Sequence, residues 1–206
     1  MFPISHFNIT RTPFYYYDKT LLSNTLAKLI RLAGERNYHI HYAVKANANP
    51  EILKLIAASG IGADCVSGGE IKAALEAGFP AKKIVFAGVG KADWEIEYAL
   101  EKKIFCFNVE SAEELSVIEE LAKKKENIAS IALRINPNID AHTHEYITTG
   151  LSENKFGIPI EMLDSIFSQI QRSPHVQLVG FHFHIGSQIL NLETFHVLCE
   201  RINQLQ

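Results

Sequence analysis

Six short runs rich in β-branched and aromatic residues recur along the chain, and between them lie stretches with the apolar spacing of helices. The runs cover residues 39–44, 61–66, 84–89, 104–109, 128–135 and 177–184. The helical stretches cover 19–35, 50–59, 69–77, 93–102, 112–125 and 160–171. Strand and helix alternating in this way restrict the chain to an α/β architecture whose strands are covered on both faces. Local signals agree: Ser111 stands three residues before Glu114 as a capping box, and Gly78-Phe79-Pro80 forms a helix stop. A doubly wound sheet and a (β/α)8 barrel both satisfy the pattern, and periodicity alone does not choose between them.

A closed barrel has eight strands and about 250 residues, whereas 206 residues here hold six strand runs and still read as helix at 198–204. The chain therefore reads as cut within a barrel. No Pro, Gly or Ser-rich linker divides it. The first 12 residues are separate in character, because Phe7-Asn8-Ile9 and Thr12-Pro13-Phe14-Tyr15-Tyr16-Tyr17 suggest extended structure ahead of the first helix. The expected division is residues 1–12 and residues 13–206.

Hydrophobic residues make up 47% of the chain and charged residues 21%, enough for a sizeable core and unlike a disordered chain. The net charge of -3 offers no basic face for nucleic acid. No apolar run approaches the roughly 18 residues of a membrane span, and the N-terminus shows no export signal. A cytoplasmic protein acting on a small molecule is the expectation. Cys65, Cys106 and Cys199 are odd in number and far apart, so free thiols fit better than a disulfide framework or a zinc site.

Lys45 closes the run Tyr42-Ala43-Val44-Lys45, and strand alternation places it with Ala43 on one face. The C-terminal end of a strand is where barrels keep their chemistry. A partly desolvated amine there is a Schiff-base nucleophile, because burial favours its neutral form. The plain alternative is a strand-end lysine reaching solvent. In Phe181-His182-Phe183-His184-Ile185-Gly186-Ser187-Gln188 the histidines share a face and lead into a Gly-Ser turn. That arrangement suits a histidine stacked on a ring beside donors for a phosphate, or simply a core strand and its turn.

Asp64 lies in Gly62-Ala63-Asp64-Cys65-Val66-Ser67-Gly68-Gly69-Glu70, a strand end whose glycines permit close backbone approach, as an ordinary βα turn also does. Arg134, in Leu133-Arg134-Ile135-Asn136-Pro137, sits inside an apolar strand and must be paired, with an acid of the protein or with a bound anion. Gly88-Val89-Gly90-Lys91-Ala92-Asp93 fails as a dinucleotide fingerprint at Asp93 and as a P-loop at Val85 and Ala92. The pairs His39/His41, His142/His144 and His182/His184 have the spacing of metal hydrolases on barrels, but a catalytic metal usually adds a carboxylate or a third histidine in reach and one pair lies in an apparent loop, Asp140-Ala141-His142-Thr143-His144, so no metal is expected.

Five motifs in order, Tyr42–Asn47, Gly62–Glu70, Leu133–Pro137, Glu153-Asn154-Lys155-Phe156-Gly157 and His184–Gln188, resemble the diaminopimelate decarboxylase family from about Thr12 to the last residue. That family belongs to the pyridoxal-phosphate enzymes of alanine racemase type. The resemblance implies a (β/α)8 barrel of TIM type, incomplete here at about six βα units, whose C-terminal β-domain is absent and would be joined by residues 1–12. It implies that Lys45 holds pyridoxal 5'-phosphate, that His184 stacks on its ring, and that Gly186 and Ser187 contact its phosphate. Asp64 and Arg134 match polar positions lining the same pocket.

The implied reaction is decarboxylation of meso-2,6-diaminopimelate at its D-centre to L-lysine, in a homodimer with shared sites. Arginine, ornithine and carboxynorspermidine decarboxylases are relatives of the same kind. A metal-dependent hydrolase and a non-catalytic cofactor-binding protein are the alternatives from other classes. The family's glycine-rich phosphate loop, the glutamate facing the pyridine nitrogen and the substrate-binding arginine and tyrosine would all lie beyond Gln206. The 206 residues alone are expected to be inactive or poorly folded.

Overall fold

The structure, a computed structural model, describes residues 3–137, 156–187 and 189–205. It holds two compact units, one ending at His39 and the other beginning at Ile40.

The first unit contains α1 (Ile4–Phe7) and α2 (Lys19–Gly34). One helical turn thus stands where the aromatic pattern predicts extended chain. The turn is held by Asn8 N–H on the Ile4 carbonyl at 3.1 Å and by the Thr10 hydroxyl on the His6 carbonyl at 2.7 Å. Phe7 packs on Phe14 and Tyr16, with ring centroids 5.3 and 5.1 Å away. Asp18 starts α2 by accepting the Leu21 N–H at 2.9 Å, which satisfies one of the donors a helix start leaves unpaired.

The second unit is one sheet of β1 (His41–Ala43), β2 (Gly62–Cys65), β3 (Ile84–Phe86), β4 (Cys106–Val109), β5 (Ala129–Arg134) and β6 (Val176–His182). Every neighbouring pair is parallel, and spatial order follows chain order. Between and after the strands run α3 (Pro50–Ala58), α4 (Gly68–Glu76), α5 (Asp93–Lys102), α6 (Ala112–Lys124), α7 (Leu163–Gln171) and α8 (Glu193–Leu205). A doubly wound sheet reverses its strand order at a switch point. This sheet has no reversal, so right-handed crossovers send the helices to the same face, as in a barrel wall.

Strand register sorts the side chains. Phe107 lies opposite Ile131 and Val109 opposite Leu133, on the side where the Phe86 and Phe107 rings meet at 6.1 Å. These residues are fully buried with Ile96, Leu115 and Ile118 of the helices, each contributing about 1.5–3 kcal/mol of burial. The opposite face follows from Asp64 beside Val85, Val85 beside Cys106, Asn108 beside Ala132 and Arg134 beside His182. Between β5 and β6 the register slips: Ile131 faces Leu178 but Ala132 faces Gly180, which leaves Val179 as one extra residue in β6.

The observed strands are shorter than the apolar runs. β1 stops at Ala43, and Val44–Ala46 continues as a 3₁₀ turn. The helix expected from 160 begins as another 3₁₀ turn, Ile160–Met162, ahead of α7.

Candidate functional site

Each sequence-predicted site residue lies at or just beyond the C-terminal end of a strand, but not always in the expected state. Lys45 is the middle residue of the 3₁₀ turn after β1 and is exposed, while Val44 beside it is fully buried. The desolvated strand-end amine is therefore corrected. With three residues per turn instead of two, strand alternation ends at Ala43 and no longer sets the face of Lys45.

Asp64 is half-buried on β2, and its Oδ1 makes no hydrogen bond among the described residues. Burial pushes its carboxyl above the usual carboxylate range, the Lys45 charge opposes this, and Glu70 adds to it. Arg134 at the end of β5 is buried, and its Nη1 donates to both oxygens of Glu110 at 2.7 Å. Its guanidinium stands 5.5 Å from the Phe156 ring. Gly157 follows with φ +86°, and a Cβ there would come within 3.2 Å of the Arg134 carbonyl oxygen, so both conformation and closeness require glycine.

His182 ends β6, and His184 stands two residues further on. Burial, and then the charges of Arg134, His184 and Lys91, hold the His182 imidazole down at about 4. Its Nδ1 is buried with no hydrogen-bond partner among the described residues. Burial also lowers His184, with Arg134 and Lys45 adding to the shift and Glu110 opposing it. Both rings are thus neutral near pH 7. Gly186 takes φ +129°, and Ser187 is exposed in a bend. Gln188, His142, His144 and Glu153–Lys155 lie outside the described residues.

The shared electrostatics show which groups converge. Lys45 acts on both Asp64 and His184, and Arg134 acts on both histidines. Burial pushes the thiol of Cys65 up to about 12 and that of Cys106 up to about 11, which removes both as nucleophiles near neutrality. Among the described residues, no three His, Cys, Asp or Glu side chains come together as a metal site.

The sequence reading missed a set of ionic side chains that tie the loops at this end to one another. Glu95 of α5 accepts the Gly68 N–H at 2.6 Å and the Ala92 N–H at 2.9 Å. Lys91 donates to the Gly88 carbonyl at 2.7 Å, the Asn108 carbonyl at 2.9 Å and Glu114 at 2.6 Å. Glu114 in turn accepts the Glu110 N–H at 2.8 Å. Half of the expected capping box is present, since Ser111 Oγ accepts the Glu114 N–H at 3.2 Å. The other half is shifted, because the Glu114 carboxylate reaches back to Glu110 instead of Ser111. Glu70 does the same in the loop after β2, where it accepts the Val66 N–H at 2.8 Å.

A parallel βα wall in chain order, with an accessible amine, an arginine and neutral imidazoles at its C-terminal rim, defines the α/β-barrel class of protein. Residues 23–206 match the family model described as the pyridoxal-binding domain of pyridoxal-dependent decarboxylases, and the chain belongs to that family. It is 58% identical over its whole length to the diaminopimelate decarboxylase of Bacteroides thetaiotaomicron, of which it covers 54%. Against the diaminopimelate decarboxylase of Campylobacter jejuni it is 44% identical over 90% of its length, covering 46% of that protein. The crystal structure of diaminopimelate decarboxylase from Helicobacter pylori complexed with L-lysine superposes with a TM-score of 0.86 at 43% identity, covering 98% of this chain and 52% of that one. The chain spans about half the length of the curated relatives it matches.

The rim fits a pyridoxal cofactor. An aldehyde-bearing, phosphorylated ring asks for an amine, a flat side chain and donors to an anion, and Lys45 after β1, His184 after β6 and Arg134 at the end of β5 supply these. Asp64 Oδ1 and His182 Nδ1 are buried polar atoms for which the described chain provides no partner, and such atoms in native proteins are met by ligand or water.

Proposed function

We propose that the full-length protein carrying this chain is a pyridoxal-phosphate-dependent carboxy-lyase that converts meso-2,6-diaminopimelate to L-lysine and CO2. The observation that carries the reading is the convergence of Lys45, Asp64, Arg134 and His184 on one rim of a wall belonging to a pyridoxal-binding family. The 58% identity to a relative named diaminopimelate decarboxylase supports this substrate over arginine or ornithine. A viral arginine decarboxylase at 23% identity shares only the fold.

Bound pyridoxal phosphate supplies an electron sink for the negative charge left at Cα when CO2 departs. Lys45 would hold the cofactor through Nζ, and its amine could hold a proton for return to the substrate's Cα. Its exposed place on the 3₁₀ turn leaves Nζ within reach of an incoming substrate. His184, neutral at working pH, would offer the cofactor ring a flat face without adding charge to it. Asp64 orients the Lys45 amine by charge. Gly186 and Ser187 offer a backbone turn and a hydroxyl to the phosphate, and Arg134 keeps a cation in the pocket.

The same reading has full-length chains acting as cytoplasmic homodimers, which equilibrium sedimentation tests for assembly. The decisive experiment adds pyridoxal phosphate to the full-length protein, reduces with borohydride and maps the modified peptide. The label is expected on Lys45 and is lost in Lys45→Ala, with CO2 released from meso-diaminopimelate and not from arginine or ornithine. A label on another lysine, or none, sinks the assignment.

A further inference from the structure

Lys91, Glu114 and Glu110 have no role in the reading above, yet they are among the most enclosed ionic groups of the described residues. The Lys91 side chain is 1% exposed, and its amine makes three hydrogen bonds to protein oxygens. An ammonium has three donors, so this one is fully engaged and is not available as nucleophile, acid or base. Its acidic partner Glu114 uses the second oxygen to hold the backbone N–H of Glu110. Glu110 then places both oxygens on one nitrogen of Arg134. Four side chains from the loop after β3, the loop after β4, the start of α6 and the end of β5 make one unbroken chain of contacts.

The chain contains two cations and two anions. Burying such a set stabilises a fold less well than apolar residues of the same volume, so stability is a poor account of it. What it does supply is geometry. Among the described residues, every side-chain hydrogen bond of Arg134 runs through Nη1 to Glu110, so the angle of the guanidinium plane is set by that carboxylate. Exposed pairs such as Arg31–Glu35 and Lys72–Glu76 orient nothing comparable.

We propose that Glu110, and Lys91 acting through Glu114, are positioning residues that fix the Arg134 guanidinium for an anionic ligand at the rim. This inference rests on the pyridoxal-phosphate reading and adds to it the groups that hold one of its cations in place. Lys91 lies in the loop before α5 and Arg134 on β5, so these contacts tie the orientation of Arg134 to the packing of the loops after β3 and β4.

The test is titration of full-length, cofactor-stripped protein with pyridoxal phosphate, followed by visible absorbance and circular dichroism, with the thermal midpoint recorded in parallel. Glu110→Gln removes the counter-charge and is expected to weaken binding about tenfold and to change the visible dichroism. Glu110→Asp, which keeps the charge, recovers part of the loss. The double variant Lys91→Met/Glu114→Gln leaves no buried charge uncompensated, so it keeps the fold while releasing Glu110, and is expected to bind about threefold more weakly. Should Glu110→Gln fail to fold, the double variant decides. Variants that bind with parental affinity and dichroism, even at a lowered midpoint, overturn the positioning role alone. A parent protein that takes up no pyridoxal phosphate overturns this inference together with the functional reading beneath it.

Discussion

The two ends of the parallel strands in the second unit are built from different materials. At the N-terminal ends, helices α3 to α6 stop on left-handed residues, Gly60, Gly78, Lys103 and Glu126, and return to the sheet through main-chain hydrogen bonds such as Phe79 N–H to the Ala74 carbonyl at 3.0 Å. Polar side chains at that end include amides and hydroxyls, for example Asn127 on the Leu100 carbonyl at 3.1 Å and Ser173 on Glu119 at 2.6 Å, and charged groups that stay at or near the surface, such as Lys83 on the Gly60 carbonyl at 2.6 Å and Lys125 on Glu101 at 2.8 Å. At the C-terminal ends stand Glu95, Glu110 and Arg134, all buried, together with Lys91 and two neutral histidines. Turns at the first end need only backbone geometry, which costs little. Charges at the second cost desolvation, and a chain retains that cost where something else is gained.

The contrast breaks most visibly at Lys45. In the full-length protein, Lys45→Ala is expected to slow decarboxylation by at least roughly 10²-fold, while the thermal midpoint hardly moves because the side chain is exposed. A near-parental rate would place the chemistry elsewhere. Next in size is Lys91→Met alone, which leaves Glu114 buried without its cation and should cost about 3–5 kcal/mol in urea denaturation. Lys82→Met at the opposite end, on an exposed residue, should stay within about 0.5 kcal/mol. Equal costs at the two positions would erase the difference between the ends.

Acid sensitivity comes third. His182 is held down to about 4 in the folded chain against 6.5 for an ordinary imidazole. Between those values the unfolded chain binds the extra proton, so stability falls as pH drops from 6.5 to 4, by about 3 kcal/mol in all. Asp64 and Glu114 are raised, each chiefly by burial, and act in the opposite sense. Their contribution is greatest at low pH and is lost as pH climbs through and beyond the ordinary carboxylate range. Denaturation of His182→Leu across pH 4–7 should show a flatter acid limb, and an unchanged limb would assign the sensitivity to other groups. The smallest effect belongs to the quiet end. Lys103→Gly relieves a non-glycine residue at φ 54° and should add less than about 1 kcal/mol, because the gain is offset by greater freedom of the unfolded chain.

Much of this architecture was legible in the residues. The strand runs and helix periods map onto the observed elements with ends moved by up to three positions, and α5 falls where its pattern puts it, Asp93–Lys102. Arg134 inside an apolar strand demanded a partner before any coordinates, and Glu110 is that partner. What was not legible depends on distance along the chain. Lys91 and Glu114 are 23 residues apart and Glu110 and Arg134 are 24 apart, and only the strand order brings such positions together. Lys91 even lay in a glycine-rich run that fails two phosphate motifs; a lysine beside a strand end was the signal available, with the capping glutamate at 114. Lys45 was misplaced because a period-2 reading cannot detect a strand giving way to a 3₁₀ turn one residue earlier.

The single extra residue at Val179 has a consequence of another kind. Ahead of it, β6 is in step with the helix-facing side of β5, and after it the count has changed so that His182, not Phe181, stands across from Arg134. Pairing β6 with β5 without the slip would leave composition and length untouched, yet set Phe181 across from Arg134 and bring a benzene ring to the place of the imidazole. Selection on this strand therefore acts on pairing as well as on composition: substitutions along it can be absorbed, whereas a one-residue slip exchanges one face of the strand for the other.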